Sequence, residues 1–245
     1  MKPSIELFTD ADELASGAAQ RIVDHSRKAI STSGRFTIGL SGGSTPKRLY
    51  KLLADENQIY RDQMSWDRIH FFWTDERHVP PDDSDSNYRM VNEAMLSHLP
   101  VPASNIHRML AEKINAQGVA DDYEAELTEF FDFEPDDVPR IDLVLLGMGA
   151  DGHTASLFPG STVLQEKDRL VVAPWVEKLK VNRLTMTLPV LNNADAVLFL
   201  VSGSDKAEML TEVLEGPDSR YPAQLIKPVD GQLTWLVDKD AGVRL

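Results

Sequence analysis

The sequence predicts an α/β fold: one doubly wound domain with a mostly parallel central sheet flanked by helices. Short apolar runs at Phe36–Leu40, Ile69–Trp73 and Ile141–Leu146 have the length of buried strands. Each is followed by a polar or Gly-rich segment and then by a stretch proposed as helical, the rhythm of β-α crossovers. A chain of 245 residues, 42% hydrophobic and 26% charged, can bury one substantial core and is neither fibrous nor disordered in composition. No repeat, low-complexity stretch or linker divides it, so residues 1–245 read as a single domain.

Taken in order, an extended start near Ile5–Phe8 precedes Asp10, which is placed to cap a helix running towards Ile30 on an apolar stripe of Leu14, Ala18, Ile22 and Ala29. Phe36–Leu40 ends in Ser41-Gly42-Gly43-Ser44-Thr45-Pro46, where Pro46 suits the first position of a helix continuing through Tyr50 and Leu53. Ile69–Trp73 leads through a polar segment to a helix from about Ser86 to His98. Helical spacing covers Ala120–Phe130, and Glu134–Pro139 reads as an acidic turn. A short helical stretch is expected near Thr154–Phe158. Further strands are expected at Leu170–Ala173, Leu184–Thr187, Ala196–Val201 and Leu233–Val237, with a helix over Ser204–Leu214.

Charge and composition narrow the function. With 25 Lys and Arg against 39 Asp and Glu, the net charge of −14 argues against a general nucleic-acid binder or a protein held electrostatically on anionic membranes. A small anionic ligand would need local cations set against that field. The absence of cysteine removes disulfides, thiol chemistry and cysteine-ligated metals. The first residues, MKPSIELFTDADEL, lack a signal-peptide pattern, and no apolar run approaches the roughly 20 residues of a membrane span, so a cytoplasmic protein is expected. Nothing indicates an obligate protein partner.

Gly42, Gly43, Ser44 and Thr45 lie at a strand-to-helix junction where successive backbone N–H groups and two hydroxyls can hold an anion, although a tight turn with a helix cap uses the same residues. The segment is neither GxGxxG nor GxxxxGK[ST], which disfavours dinucleotides and nucleoside triphosphates. Thr74-Asp75-Glu76-Arg77-His78 follows a strand directly and offers acids, a base and a guanidinium; a solvated turn is the simpler alternative. Ser86-Asn87-Tyr88 reads first as a helix cap. The most informative stretch is Gly147-Met148-Gly149-Ala150-Asp151-Gly152-His153-Thr154-Ala155, in which His153, two residues after Asp151, can accept a proton near neutral pH. The histidines show no metal-ligand spacing, and no cofactor is implied. Arg183 precedes an expected strand and suits either the binding rim or a solvated edge. Ser202-Gly203-Ser204-Asp205-Lys206 sits at another strand-to-helix junction, placing Lys206 to approach an anion. Packing is the expected role of Trp66, Trp73, Trp175 and Trp235, and His70 reads as structural.

In combination, SGGSTP at Ser41–Pro46, TDERHVPPDDSDSNYRM at Thr74–Met90, GMGADGHTASLFPG at Gly147–Gly160, NRLTMT at Asn182–Thr187 and SGSDK at Ser202–Lys206 resemble the family that holds 6-phosphogluconolactonases and glucosamine-6-phosphate deaminases. The resemblance implies a sugar-phosphate site over the carboxyl ends of the strands, with the Gly42–Thr45 loop in the ligand cradle, Arg77, Arg183 and Lys206 binding anionic groups, and His153 as catalytic base. Asp151 or Asp75 would orient His153 or raise its basicity, with Asp151 tying down its own Gly-rich loop as the alternative. Arg77 or the backbone around Gly149–Gly152 would stabilise an oxyanion. Arg77 after the DE pair, and LFPG where deaminases carry a glutamate in NEPG, imply the branch that hydrolyses a sugar-phosphate lactone. Deamination of a related sugar phosphate and non-catalytic sensing are the alternatives. No Cys and no G-x-S-x-G elbow supports a covalent route.

Overall fold

The structure is a computed structural model that describes residues 3–133, 137–177, 179–217 and 220–245. Its strands are β1 (Ser4–Phe8), β2 (Phe36–Leu40), β3 (Ile69–Trp73), β4 (Asp75–Arg77), β5 (Ile106–His107), β6 (Leu143–Leu146), β7 (Val171–Val172), β8 (Trp175–Val176), β9 (Val181–Met186), β10 (Ala196–Val201) and β11 (Gln232–Asp238). The helices are α1 (Ala11–Ser33), α2 (Ser44–Ala54), α3 (Ile59–Asp62), α4 (Asn87–Ala94), α5 (Ala116–Phe131), α6 (Leu188–Asn192) and α7 (Ala207–Glu215).

Seven strands form one parallel sheet in the order β1-β11-β10-β6-β2-β3-β5. Its two faces bury separate apolar layers, as the alternating direction of strand side chains requires. Ile38, Leu40, Phe71, Leu143, Leu198 and Leu200 meet α1, α2 and α4 on one face. Phe72, Val144, Leu146, Val197, Phe199 and Trp235 meet α5, α6 and α7 on the other, where Phe199 and Trp235 stack at 3.8 Å and 2°. The doubly wound α/β expectation therefore holds. Asp10 caps α1 as expected, accepting from the amides of Asp12 and Glu13 at 2.9 Å each, and Gly34, at φ 78°, ends the helix. Among the described residues no helix is long and apolar enough to cross a membrane.

Several local expectations need correction. Thr154–Phe158 is not helical: Thr154 and Leu157 bridge each other, and the Thr154 hydroxyl bonds back to the carbonyl of Gly147 at 2.8 Å, tying the segment into a compact loop. The expected turn after Ile69–Trp73 contains β4, which pairs antiparallel with β9 in a second sheet ordered β4-β9-β7. The expected strands at Leu170–Ala173 and Leu184–Thr187 belong to this second sheet, and Arg183 lies inside β9 instead of ahead of it. Pro46 is the third residue of α2, still within the first turn, where a missing N–H breaks no helical bond. Trp175 is 55% exposed, against the packing expected of it. Of the acidic turn at Glu134–Pro139, Glu134–Asp136 lie outside the described residues.

Candidate active site

The strand order creates the site. From β2 the chain moves to β3 and β5 on one side, then returns to place β6 on the other side of β2. The connections leaving β2 and β6 therefore part in opposite directions, opening the crevice in which such sheets bind ligands. A cavity of about 270 Å³ lies there, bordered by Gly42–Thr45, Gly147–Gly149, Asp75, Arg77, His153 and Lys206. A larger cavity of about 760 Å³ lies at the amino ends of β1 and β11, beside Ser4, Leu214 and Gln232, with no acid–base pair among the described residues of its wall.

The loop after β2 is fixed from below. The Tyr50 hydroxyl accepts from the Ser41 amide at 3.1 Å and donates to the Ser41 carbonyl at 2.9 Å, and full burial pushes its pKa far up. Gly43, at φ 106°, occupies a conformation that side-chain-bearing residues resist, and no side chain caps the start of α2. The first amides of that helix thus face the cavity end without a capping competitor.

The loop after β6 brings Asp151 and His153 together. The amides of Gly149 and Gly152 donate to the carbonyls of His153 and Gly149 at 2.9 and 3.0 Å, so these two are committed to the turn and are unavailable to an oxyanion. The Asp151 carboxylate contacts His153 Nδ1, and the His153 amide donates to Asp151 Oδ1 at 3.3 Å. The Phe158 ring packs on the imidazole with centroids 4.6 Å apart. Nε2 of His153 has no protein partner among the described residues. A Cβ at Gly149 would come within 2.0 Å of Nδ1, so only glycine leaves room for the ring in this position.

Cations come from two directions. Antiparallel pairing of β4 with β9 sets Arg77 directly opposite Arg183. Burial lowers the Arg183 pKa, and the neighbouring charge of Arg77 lowers it further. Arg183 itself does not border the cavity; it stands behind Arg77. Lys206 borders the cavity from the loop after β10 and pairs with Asp205 at 3.0 Å. Among the described residues the buried side-chain polar atoms without a partner are Ser41 Oγ, Trp73 Nε1, Arg77 Nε, Asn87 Oδ1 and Arg183 Nε. Ser41, Arg77 and Asn87 all border the cavity, so unmet hydrogen-bonding capacity is concentrated there.

Asp75 is 7% exposed and does not orient His153: its carboxylate accepts from the Ser156 hydroxyl at 2.7 Å and the Asn87 amide at 3.2 Å. Asp151 is the carboxylate in contact with the imidazole. Sequence reasoning missed Asp238 and Ser156 as supports and read Glu76 as one of the acids after a strand, not as an anchor. Glu76 is buried and accepts from the amides of Arg77, Asn87 and Tyr88 at 2.8, 2.7 and 2.7 Å, holding the start of α4 against β4. Asp238, at the end of β11, receives the Gly203 amide at 3.1 Å and the Ser202 hydroxyl, pinning the loop that carries Lys206. Ser156 holds Asp75. Of the two missed residues, Asp238 carried a signal, a carboxylate closing an apolar strand at the carboxyl end of the sheet.

Residues 9–235 match the family model described as glucosamine-6-phosphate isomerases/6-phosphogluconolactonase. This chain belongs to that family. A 6-phosphogluconolactonase of Nostoc sp. is 42% identical, with 100% of this chain and 99% of the relative covered. One of Synechocystis sp. is 41% identical over the same shares. The 6-phosphogluconolactonase structure from Trypanosoma cruzi superposes with a TM-score of 0.85 at 30% identity, covering 100% of this chain and 97% of that one.

Proposed function

We propose that this chain, working as one domain, hydrolyses 6-phospho-D-glucono-1,5-lactone to 6-phospho-D-gluconate, the lactone-opening step of the oxidative pentose phosphate pathway. The observation that carries the reading is His153, in contact with Asp151 behind it, at the wall of a cavity that also presents Arg77 and Lys206. Asp151 keeps the proton of the imidazole on Nδ1, which leaves the Nε2 lone pair to act as base. His153 takes a proton from water as the water oxygen bonds to C1, and the carbonyl electron pair moves onto oxygen. Collapse of that tetrahedral intermediate breaks the bond from C1 to the ring oxygen, and His153 returns the proton to the departing oxygen. Arg77 is the candidate oxyanion donor, since the nearby Gly149 and Gly152 amides are committed.

The phosphate, remote from C1, is assigned to Lys206 and the Gly42, Gly43, Ser44 and Thr45 loop, with Arg183, behind Arg77 and off the cavity wall, adding its charge at longer range. Phe158 supports hydrolysis over deamination, because it places an apolar ring on His153 where the resemblance implies a deaminase carboxylate. The reaction needs no cofactor, nucleic acid or protein partner, and a cysteine-free chain is compatible with the reducing cytoplasm proposed as its location.

The test follows acid release from freshly generated lactone, with spontaneous opening subtracted. Wild type accelerates it; His153→Ala lowers kcat by about 100-fold or more, while Lys206→Ala mainly raises KM. No acceleration by the wild-type protein overturns the assignment, and equal losses of both parameters in both variants overturn the division of roles.

A further inference from the structure

The site contains a buried carboxylate that the hydrolytic steps do not use. Asp75 borders the cavity yet makes no contact with His153 and forms no ion pair among the described residues. Its hydrogen-bond donors are neutral, Ser156 Oγ on Oδ2 and Asn87 Nδ2 on Oδ1, and Arg183 acts on its charge only through space. Asn87 also donates to the Asp75 backbone carbonyl at 2.9 Å, which fixes the orientation of its amide. Ser156 is 2% exposed and Asn87 1%, so both tethers are set in the protein interior. An ionised carboxylate offers about four acceptor positions, and two are filled.

A carboxylate left in this state repels a phosphate and gains from O–H donors. Arg77 and Lys206 on the same cavity attract an anion. A ligand that satisfies both walls carries an anionic group at one end and free hydroxyls elsewhere. We propose that Asp75, held by Asn87 and Ser156, reads a ring hydroxyl of the sugar and so makes the site selective for a polyhydroxylated phosphate ester. The proposal rests on the hydrolytic reading above and assigns Asp75 to substrate selection instead of to the orientation of the base. Asn87 and Ser156 are its positioning residues. They tie β4 to α4 and to the loop after β6, so the carboxylate is fixed relative to His153 without touching it.

The experiment compares kcat/KM for the parent lactone with its 2-deoxy, 3-deoxy and 4-deoxy counterparts, on wild type, Asp75→Asn and Ser156→Ala. Each ratio of parent to deoxy substrate is taken within one protein preparation, so a reduced active fraction cancels. Wild type is expected to favour the parent over at least one deoxy form by about 100-fold, because that analogue leaves a buried charge unpaired. Asp75→Asn should compress that ratio to within about fivefold and leave the others unchanged, since a neutral amide loses the charge-assisted bond. Ser156→Ala should compress the same ratio part-way. The proposal is overturned if the ratios are the same in wild type and both variants, or if Asp75→Asn slows all four substrates equally. If wild type does not open the parent lactone, the hydrolytic reading itself fails, and the two failures are thereby distinguished.

Discussion

Asp151→Asn tests the base assignment most directly. Asp151 contacts His153 Nδ1 through a charge-assisted hydrogen bond that fixes the tautomer with Nε2 unprotonated. Asparagine fits the same space but loses the charge, and it can present its amide N–H instead, which favours the tautomer with the proton on Nε2. Hydrogen bonds to charged groups contribute about 1.5–3 kcal/mol and neutral ones about 0.5–1.5, so the substitution costs roughly 1–2 kcal/mol of imidazolium stabilisation. The side chains of His153 and Asp151 are 31% and 37% exposed, and solvent screening keeps the value in the lower part of that span. At about 1.4 kcal/mol per tenfold, the expected loss in kcat is roughly 5–10-fold, with KM nearly unchanged. Initial rates of acid release, corrected for spontaneous opening and paired with a melting curve, give the answer. A kcat within twofold of wild type, or a loss confined to KM, would refute the assignment of Asp151 as the residue that orients the base.

Four further outcomes follow from the same geometry. Gly149→Ala places a methyl group 2.0 Å from His153 Nδ1, so the ring must move by about 1 Å and kcat should fall about 100-fold while the protein still folds; a near-normal rate would show that the ring position is not critical. Glu76→Ala strands the amides of Arg77, Asn87 and Tyr88 in the interior and should cost about 3–5 kcal/mol in urea unfolding; a cost below about 1 kcal/mol would contradict the anchoring role. Burial, and then the neighbouring His107, lowers the His70 pKa to about 4, so its neutral form is favoured by folding. Stability from this residue is complete above about pH 6.5 and is lost as pH falls towards 4; after discounting for partial exposure it amounts to about 1–2 kcal/mol, and His70→Phe should flatten that acid slope. Arg183→Met relieves the like-charge pairing with Arg77 and should raise Tm by about 1–4 °C while raising KM, so a lower Tm would show that the pair does not carry that cost.

The parallel sheet was legible because its strands are continuous apolar runs, a pattern that a sheet covered on both faces imposes. Gly42–Thr45, Asp75, Arg77, His153 and Lys206 were legible for a related reason, since they follow such runs directly and the carboxyl ends of the strands converge on one rim. What escaped was non-local. Nothing near Arg77 indicates that it will face Arg183, because the pairing of β4 with β9 joins segments more than a hundred residues apart. Nothing in the SNY segment shows that its amides end on Glu76, or that Asn87 turns its side chain onto Asp75. Thr154–Phe158 misled for the opposite reason: its local pattern suited a helix, but the bond from Thr154 to Gly147 fixes a tighter loop.

The supporting contacts also explain how an acidic protein can hold a dianionic ester. With a net charge of −14, the general field opposes the ligand, so selectivity rests on where the few cations are fixed. Lys206 is set by a loop pinned to Asp238, and Arg77 by a strand whose neighbouring Glu76 anchors α4. In both cases a carboxylate positions a cation through backbone amides or hydroxyls instead of pairing with it; Arg77 makes no ion pair among the described residues, and Lys206 pairs only with the exposed Asp205 beside it. A direct ion pair with the same carboxylates would have neutralised the groups needed for binding. The fold instead uses Glu76 and Asp238 as backbone anchors behind the rim, which keeps Arg77 and Lys206 at the cavity while Asp75, the acid on the cavity wall, forms no ion pair among the described residues.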